Sequence, residues 1–428
     1  MDEPTARGPV PPRKIAIATL TGATLEWYDF FLYGTASALI FNKQFFPSLS
    51  PTAGTLAAFS TFAVGFIARP LGGLVFGHFG DRIGRKMTLV VSLLLMGIGS
   101  TLIGALPGYA TIGVWAPVLL VLLRVIQGVG LGGENAGANL LAMEHAPDDQ
   151  RNRYAGFPQM GTPAGLVLAN AVFLSTSTIM PAAAFTVWGW RIPFLLSAAL
   201  VVVGLVIRMR VTETPSFAHA TKVRFPLKDA LKVGPSRLLL TLLAVIANSA
   251  VAYLFMVFSL SYGTTKLGLD RQFLVLTVTG SAVLWFFGIP LWTRLADRSG
   301  RRTMFLVGSV ALLVWAAVFF PLLDTKNTAV VVLAMVGMGL IVPVTHSVQG
   351  AIVADTFPAN VRYSGSSLLL QLGSLLGGGL APLISTAIGT SSGITTYIAL
   401  VCAVSLVSAV GLFRLRSGVA AEPAVAPA

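Results

Sequence analysis

Long apolar stretches, broken by short polar ones, run through the chain from end to end. An α-helix rises ~1.5 Å per residue, so about 20 mostly apolar residues cross the ~30 Å hydrocarbon layer of a bilayer. Twelve stretches reach that length, at about 15–41, 54–76, 87–107, 113–143, 154–180, 190–208, 238–263, 272–293, 303–323, 328–355, 364–388 and 393–413. They are continuous and rich in Leu, Ala and Gly, whereas the strands of a membrane barrel would alternate over segments of about 10 residues. The pattern predicts an all-α integral membrane protein with 12 transmembrane helices.

Composition agrees and closes other classes. Of 428 residues, 55% are hydrophobic and 11% charged, against roughly a quarter charged in a soluble domain. The single cysteine, Cys402, excludes an intramolecular disulfide framework and a cysteine-cluster metal site. The first span carries Glu26 and Asp29 and lacks a small-residue cleavage pattern, so it is expected to stay in the mature protein.

The net charge of +13 becomes informative once the basic residues are sorted by loop. Cytoplasmic loops hold the excess of Lys and Arg. The side that carries both termini takes 22 of the 29, the opposite side five (Lys43, Arg191, Lys266, Arg271 and Lys326), and Arg69 and Arg124 fall inside spans. Both termini are therefore expected in the cytoplasm. The same dispersal over short loops leaves no basic, aromatic-interleaved face for nucleic acid.

The longest polar stretch, 209–237, divides six spans from six. It separates an expected cytoplasmic tail (1–14) and amino-terminal six-helix bundle (15–208) from a carboxy-terminal bundle (238–413) and tail (414–428). Asp81-Arg82-Ile-Gly84-Arg85-Lys86 after the second span recurs as Asp297-Arg298-Ser-Gly300-Arg301-Arg302 after the eighth. Glu144-His-Ala-Pro147 after the fourth recurs as Asp355-Thr-Phe-Pro358 after the tenth. Two marks in corresponding loops indicate duplication of a six-helix unit, the architecture of carriers that rock one half on the other. Positive-inside anchoring needs only the basic residues. An Asp followed by Arg and Gly at fixed spacing, twice, suggests a tight turn and a latch in which Asp81 accepts hydrogen bonds from a helix N-terminus. Gly77, Asp81, Arg82, Gly84, Arg85, Asp297 and Arg298 are the candidate latch residues.

Glu26, Asp29, Arg69, Arg124 and Glu134 lie within apolar spans, where a charge costs at least ~2.5 kcal/mol and is paired or functional. Glu26 and Asp29 share a helix face with Gly22 and Tyr33 near mid-membrane. Two carboxylates one turn apart in a dry cavity do not both ionise easily, so Asp29, Glu26 and Glu134 are candidate proton-coupling residues. Arg124 is the natural partner of a carboxylate, on the first span or on a substrate. It shares a polar stripe with Gln127, Glu134, Asn135 and Asn139. Arg69 lies close to the cytoplasmic end of the second span as drawn, within snorkelling reach.

Candidate substrate contacts are Arg124, Tyr33, Gln127, Asn135 and Gln159 in the amino-terminal half. Those in the other half are Tyr253, Trp285, His346 and Gln349, with Asn248 and Gln371 as further polar positions. Gly128-Val-Gly130-Leu-Gly132-Gly133 matches a nucleotide-binding fingerprint, but that motif requires a preceding strand. In mid-span its glycines instead permit close helix packing. Without a Walker sequence an ATP-driven pump is not indicated, and without a nucleophile or metal cluster neither is a membrane enzyme. The duplicated halves argue against a channel.

These residues resemble the major facilitator superfamily, through Gly77-His-Phe-Gly-Asp81-Arg82-Ile-Gly84-Arg85-Lys86 and Arg124-Val-Ile-Gln127-Gly128-Val-Gly130. More specific are Glu26-Trp-Tyr-Asp29-Phe-Phe-Leu-Tyr33-Gly34, Ala68-Arg69-Pro70-Leu-Gly72-Gly73 and Trp188-Gly-Trp190-Arg191-Ile-Pro193-Phe194. Together these are similar to the metabolite:H+ symporter family, whose members include shikimate-permease-like and proline/betaine-carrier-like proteins. The resemblance implies two six-helix bundles and proton-coupled uptake of a small, usually carboxylate-bearing metabolite across the bacterial inner membrane. It implies no cofactor beyond the proton and no metal, and a monomer is expected to suffice. Uptake of a zwitterionic osmolyte and proton-antiport export on the same fold stand as alternatives. One departure concerns span 4, where the family usually has Gly-Gly-Glu-Trp-Gly-Gly and this chain has Gly132-Gly133-Glu134-Asn135-Ala136-Gly137. An aromatic wall is thereby exchanged for a small amide. The short Ala/Pro-rich tail lacks the coiled coil of osmosensing relatives.

Overall fold

In a computed structural model, which describes residues 12–83, 85–132, 151–210, 233–358 and 361–419, each predicted span is a helix over its described part. The amino-terminal six are α1 (Pro12–Leu39), α2 (Pro51–Ile83), α3 (Arg85–Ala105), α4 (Trp115–Gly132), α5 (Arg151–Ile179) and α6 (Arg191–Arg210). The carboxy-terminal six are α7 (Pro235–Thr265), α8 (Arg271–Ser299), α9 (Arg301–Asp324), α10 (Thr328–Ala354), α11 (362–388) and α12 (Ser391–Val419). No strand occurs among the described residues. Among the described residues nine helices, or ten if the bent pair Ala182–Gly189 and Arg191–Ile207 is one span, are long and apolar enough to cross a membrane. The other two are α1, interrupted by Glu26 and Asp29, and α3, whose apolar part is Val90–Ala105.

Several ends differ from the sequence reading. Helix α2 runs on to Ile83 and α8 to Ser299, so Asp81-Arg82 and Asp297-Arg298 belong to the last helical turns rather than to loops. Helix α8 stops at Gly300, whose φ of +86° only glycine adopts without strain. The 209–237 linker is helical at both edges, to Arg210 and from Pro235, and α12 runs to Val419, past the expected start of the tail at 414. Strong helix formers such as Arg and Leu let a helix outlast its apolar stretch.

Large apolar side chains such as Ile67, Leu122, Val202, Phe287, Leu400 and Val407 point outward. On a soluble protein that surface would be polar; here it faces lipid. Many hydroxyls inside the helices are satisfied locally, as where Thr24 and Thr176 donate to the carbonyls of Leu20 (2.8 Å) and Val172 (2.7 Å). Within the amino-terminal half, α1 packs on α5, α2 on α4, and α3 on α6; within the other, α8 packs on α10, and α12 on α7 and α9. Gly128 and Gly132 of the rejected fingerprint lie in the α2–α4 contact. A Cβ at Gly128 would stand 2.3 Å from the Gly65 carbonyl oxygen, and one at Gly132 would stand 2.0 Å from that of Arg69.

The halves meet along α5–α8, α2–α11 and α1–α7. Aromatic rings close this junction toward the Leu39 end of α1 and the Thr265 end of α7. Phe30 and Phe66 pack on Tyr253 (centroids 5.7 and 5.3 Å), and Phe59 on Phe258 (6.3 Å). Both α7 and α11 widen into a π-helical turn here, at Leu254–Phe258 and Leu375–Gly379. Such turns are frequent at functional sites.

Candidate functional site

The charged residues of the amino-terminal half gather near mid-membrane. Asp29 lies 17 residues into α1, about 25 Å along an axis of about 42 Å. It is buried, its carboxylate accepts a hydrogen bond from the hydroxyl of Ser197 on α6, and Ser100 on α3 stands beside it. Glu26 is buried one turn away. Among the described residues no ion pair joins Asp29 to Arg124. A row of polar groups runs between them: Arg124 donates to Gln127 Oε1 (3.2 Å), Gln127 Nε2 donates to Ser100 Oγ (2.7 Å), and Ser100 stands beside Asp29.

Arg124 is held by rings rather than by carboxylates. Its Cζ lies 4.1, 4.9 and 5.1 Å from the centroids of Tyr33, Phe30 and Phe62, each contact worth roughly 0.5–2 kcal/mol. Its Nε and Nη2 are buried without a hydrogen-bond partner. Gly65 makes the space: a Cβ there would lie 2.4 Å from Arg124 Nε. Tyr33 donates to Thr61 Oγ1 (2.6 Å) and so forms part of the Arg124 cage. Asp29, Arg124 and Gln127 border a cavity of about 10 Å³, the size of a single water.

Arg69 is 1% exposed, which corrects the snorkelling expectation. Because α2 continues to Ile83, residue 69 sits in mid-helix and not at its end. Its guanidinium lies against Phe30 (4.3 Å), Phe66 (4.6 Å) and Trp27 (5.7 Å), next to the Tyr253 phenol across the junction between the halves.

A second cavity, of about 70 Å³, lies between the halves on the other side of the Phe30–Tyr253 contact. Gln159, Tyr253, Trp285, His346 and Gln349 all line it, as does Asn248. The structure adds Trp27, Thr162, Ser249 and Ser374, and among the described residues no side chain lining it is a carboxylate, a guanidinium or an ammonium. Trp27 was legible inside the Glu26-Trp-Tyr-Asp29 motif. The small hydroxyls gave no signal, since Ser and Thr are common on every span. Of the sequence candidates, Asp29, Arg124 and Gln127 border the water-sized cavity, with Tyr33 packed on Arg124, whereas Gln159, Tyr253, Trp285, His346 and Gln349 line the larger one.

The Trp188–Phe194 motif is a brace. Trp190 is fully buried among Phe41, Phe45 and Phe194, and Tyr28 donates to the Pro193 carbonyl (2.7 Å), fixing the start of α6 against α1. Glu134, Asn135 and Gly84 lie outside the described residues, as do the side chains of Gly77, Asp81, Arg82 and Arg85. Asp297 and Arg298 are exposed at the end of α8. Arg301 pairs with Asp355 at 3.6 Å, joining the two repeat marks within the carboxy-terminal half.

Twelve helices in two sets of six, with buried charges and a polar cavity at their junction, define a membrane carrier. The family model of the Major Facilitator Superfamily matches residues 19–370, and again 266–427, and the chain belongs to that superfamily, among its metabolite:H+ symporter-like members. It is 40% identical over 412 residues to the inner membrane metabolite transport protein YhjE of Escherichia coli K12, covering 92% of each chain. Against the shikimate transporter of the same organism identity is 38% over 415 residues, 93% of each chain. Against its proline/betaine transporter it is 35% over 393 residues, 89% of this chain and 78% of that one. The fold matches the crystal structure of a D-xylose-proton symporter with a TM-score of 0.76, at 17% identity over 94% of this chain and 97% of that one. The protein is a multi-pass membrane transporter and not an enzyme.

Proposed function

We propose that the protein is a proton-coupled symporter that takes up a small organic acid across the bacterial inner membrane, with both termini in the cytoplasm. The observation that carries this reading is the buried Asp29 carboxylate beside a water-sized cavity, held by the Ser197 hydroxyl and, among the described residues, in no ion pair with Arg124. Asp29 is the proton carrier in this reading, with Glu26 beside it, and Arg124 is its coupling partner. A proton on Asp29 removes one negative charge from a cluster that holds two guanidiniums, Arg124 and Arg69. The excess positive charge then favours an anion in the larger cavity, behind whose Trp27 and Tyr253 wall Arg69 lies. By reciprocity the bound anion favours the proton, a coupling of about 1–3 kcal/mol in typical cases. Moving one elementary charge through 100 mV is worth ~2.3 kcal/mol, so a proton carried with a monoanion is electroneutral and draws on the pH gradient alone.

With the termini inside, the ring seal at Phe59, Phe66, Tyr253 and Phe258 faces outward, and the larger cavity is served from the cytoplasm. At about 70 Å³ it is far smaller than the ~300–1,000 Å³ of ligand pockets, which supports a contracted, nearly occluded state. The similar shikimate transporter supports an acid substrate. Uptake of a betaine-like zwitterion is the second reading, favoured by the Trp27, Trp285 and Tyr253 rings, which suit a quaternary ammonium. Purified protein in liposomes under an imposed inward pH gradient tests the assignment with radiolabelled shikimate and glycine betaine. Accumulation of the acid that a protonophore abolishes is expected. Uptake indifferent to the protonophore, or accumulation of betaine alone, contradicts it.

A further inference from the structure

The carboxy-terminal wall of the larger cavity has a hydrogen-bonding polarity that the network around it dictates. Asn248 Nδ2 donates to Thr345 Oγ1 (2.6 Å) and to the Val342 carbonyl (3.3 Å). The flipped amide would set its oxygen against that carbonyl, so Oδ1 is the atom that faces His346 Nδ1 at 3.3 Å. An amide oxygen only accepts, and Nδ1 therefore carries the proton. Among the described residues no carboxylate lines the cavity to hold an imidazolium, so His346 is the neutral Nδ1–H tautomer and Nε2 is a bare acceptor. That Nε2 is buried and makes no hydrogen bond, and neither does Gln349 Oε1, three residues along the same face of α10. The Trp285 ring packs edge-on to His346, centroids 5.2 Å apart, and its Nε1–H is a buried donor without an acceptor. Each buried polar group left unpaired costs roughly 1–3 kcal/mol. All three belong to residues that line the larger cavity.

We propose that Trp285, His346 and Gln349 form a hydroxyl-reading pole, and that the substrate is a hydroxylated organic acid. An alcohol both donates and accepts. One hydroxyl accepts from Trp285 Nε1–H and donates to His346 Nε2, and a second donates to Gln349 Oε1. A quaternary ammonium offers no donor, and a ring acid without hydroxyls leaves all three groups stranded. The inference rests on the organic-acid reading above for the charged end of the substrate, and on these three side chains alone for the other end. Sites built to bond a hydroxyl reject the analogue lacking it far more strongly than an apolar pocket rejects an extra methylene.

Binding to the purified full-length protein tests it, by calorimetry with shikimate, quinate, cyclohex-1-enecarboxylate, myo-inositol and glycine betaine. At least tenfold tighter binding of shikimate or quinate than of cyclohex-1-enecarboxylate is expected. Trp285→Phe and Gln349→Met, which keep shape and remove one hydrogen bond each, should weaken the hydroxylated acid at least tenfold and leave the deoxy acid within twofold. They are preferred to a His346 variant, which would also strand Asn248. Equal binding of the acids with and without hydroxyls overturns the pole and leaves the organic-acid reading standing. Binding of myo-inositol but of no acid upholds the pole and overturns the organic-acid reading. Binding of betaine alone, or of no hydroxylated probe, overturns the pole.

Discussion

Asp29 and Arg124 border the same water-sized cavity and make no ion pair among the described residues. The carboxylate takes a hydrogen bond from Ser197, and Arg124 donates to Gln127, which in turn donates to Ser100 beside Asp29. A closed buried ion pair would be a structural bolt, expensive to break. An open one, with the guanidinium cradled on rings, leaves the acid able to exchange its proton without unfolding its surroundings.

Arg124→Lys should therefore cost at least tenfold in transport rate with the fold intact. An ammonium keeps the charge, but it cannot lie flat against Tyr33, Phe30 and Phe62 while donating to Gln127. Initial rates in liposomes, with thermal unfolding in detergent as the control for folding, check this. Wild-type rates in the lysine variant would remove the cradle from the mechanism.

Gly65→Ala should act on Arg124 from behind. The added methyl falls 2.4 Å from Nε and 2.8 Å from Cζ, so the guanidinium must leave its cage. Overpacking of this kind costs about 1–3 kcal/mol. A lowered melting temperature together with lost uptake is expected, and unchanged uptake would show that the position of Arg124 does not matter.

Much of this site was legible in the sequence and its arrangement was not. Five charges in apolar stretches marked α1, α2 and α4, and Gln159, Tyr253, Trp285, His346 and Gln349 all line the larger cavity. The partners of Asp29 could not be read, because Ser100 and Ser197 come from two other helices and a serine on an apolar span has no distinguishing pattern. Arg69 looked terminal because hydropathy ends its span near residue 76 while the helix persists to Ile83. Nor does linear order reveal that Phe30 and Tyr253, 223 positions apart, meet as the wall between the two cavities.

The ion pair between Arg301 and Asp355 offers a contrast. Its side chains are 32% and 49% exposed, and pairs of that kind contribute about 0–1 kcal/mol. Asp355→Asn should leave the unfolding midpoint in detergent nearly unchanged. A loss of more than about 3 kcal/mol would mean that the pair is buried in the working protein.

Orientation has a direct test, because the sole cysteine, Cys402, is buried and replaceable by serine. In that background Lys43→Cys should react with a membrane-impermeant maleimide on intact spheroplasts, and Arg298→Cys only after permeabilisation. Both positions are exposed and lie at opposite ends of the helices. The reverse pattern would place the ring seal toward the cytoplasm.

The most direct measurement is uphill uptake against counterflow in Asp29→Asn. The amide keeps the shape and can accept from Ser197, but it carries no exchangeable proton. The variant should lose pH-gradient-driven accumulation by at least tenfold while still exchanging labelled for unlabelled substrate at equal pH. Full uphill accumulation in that variant would contradict Asp29 as the proton carrier.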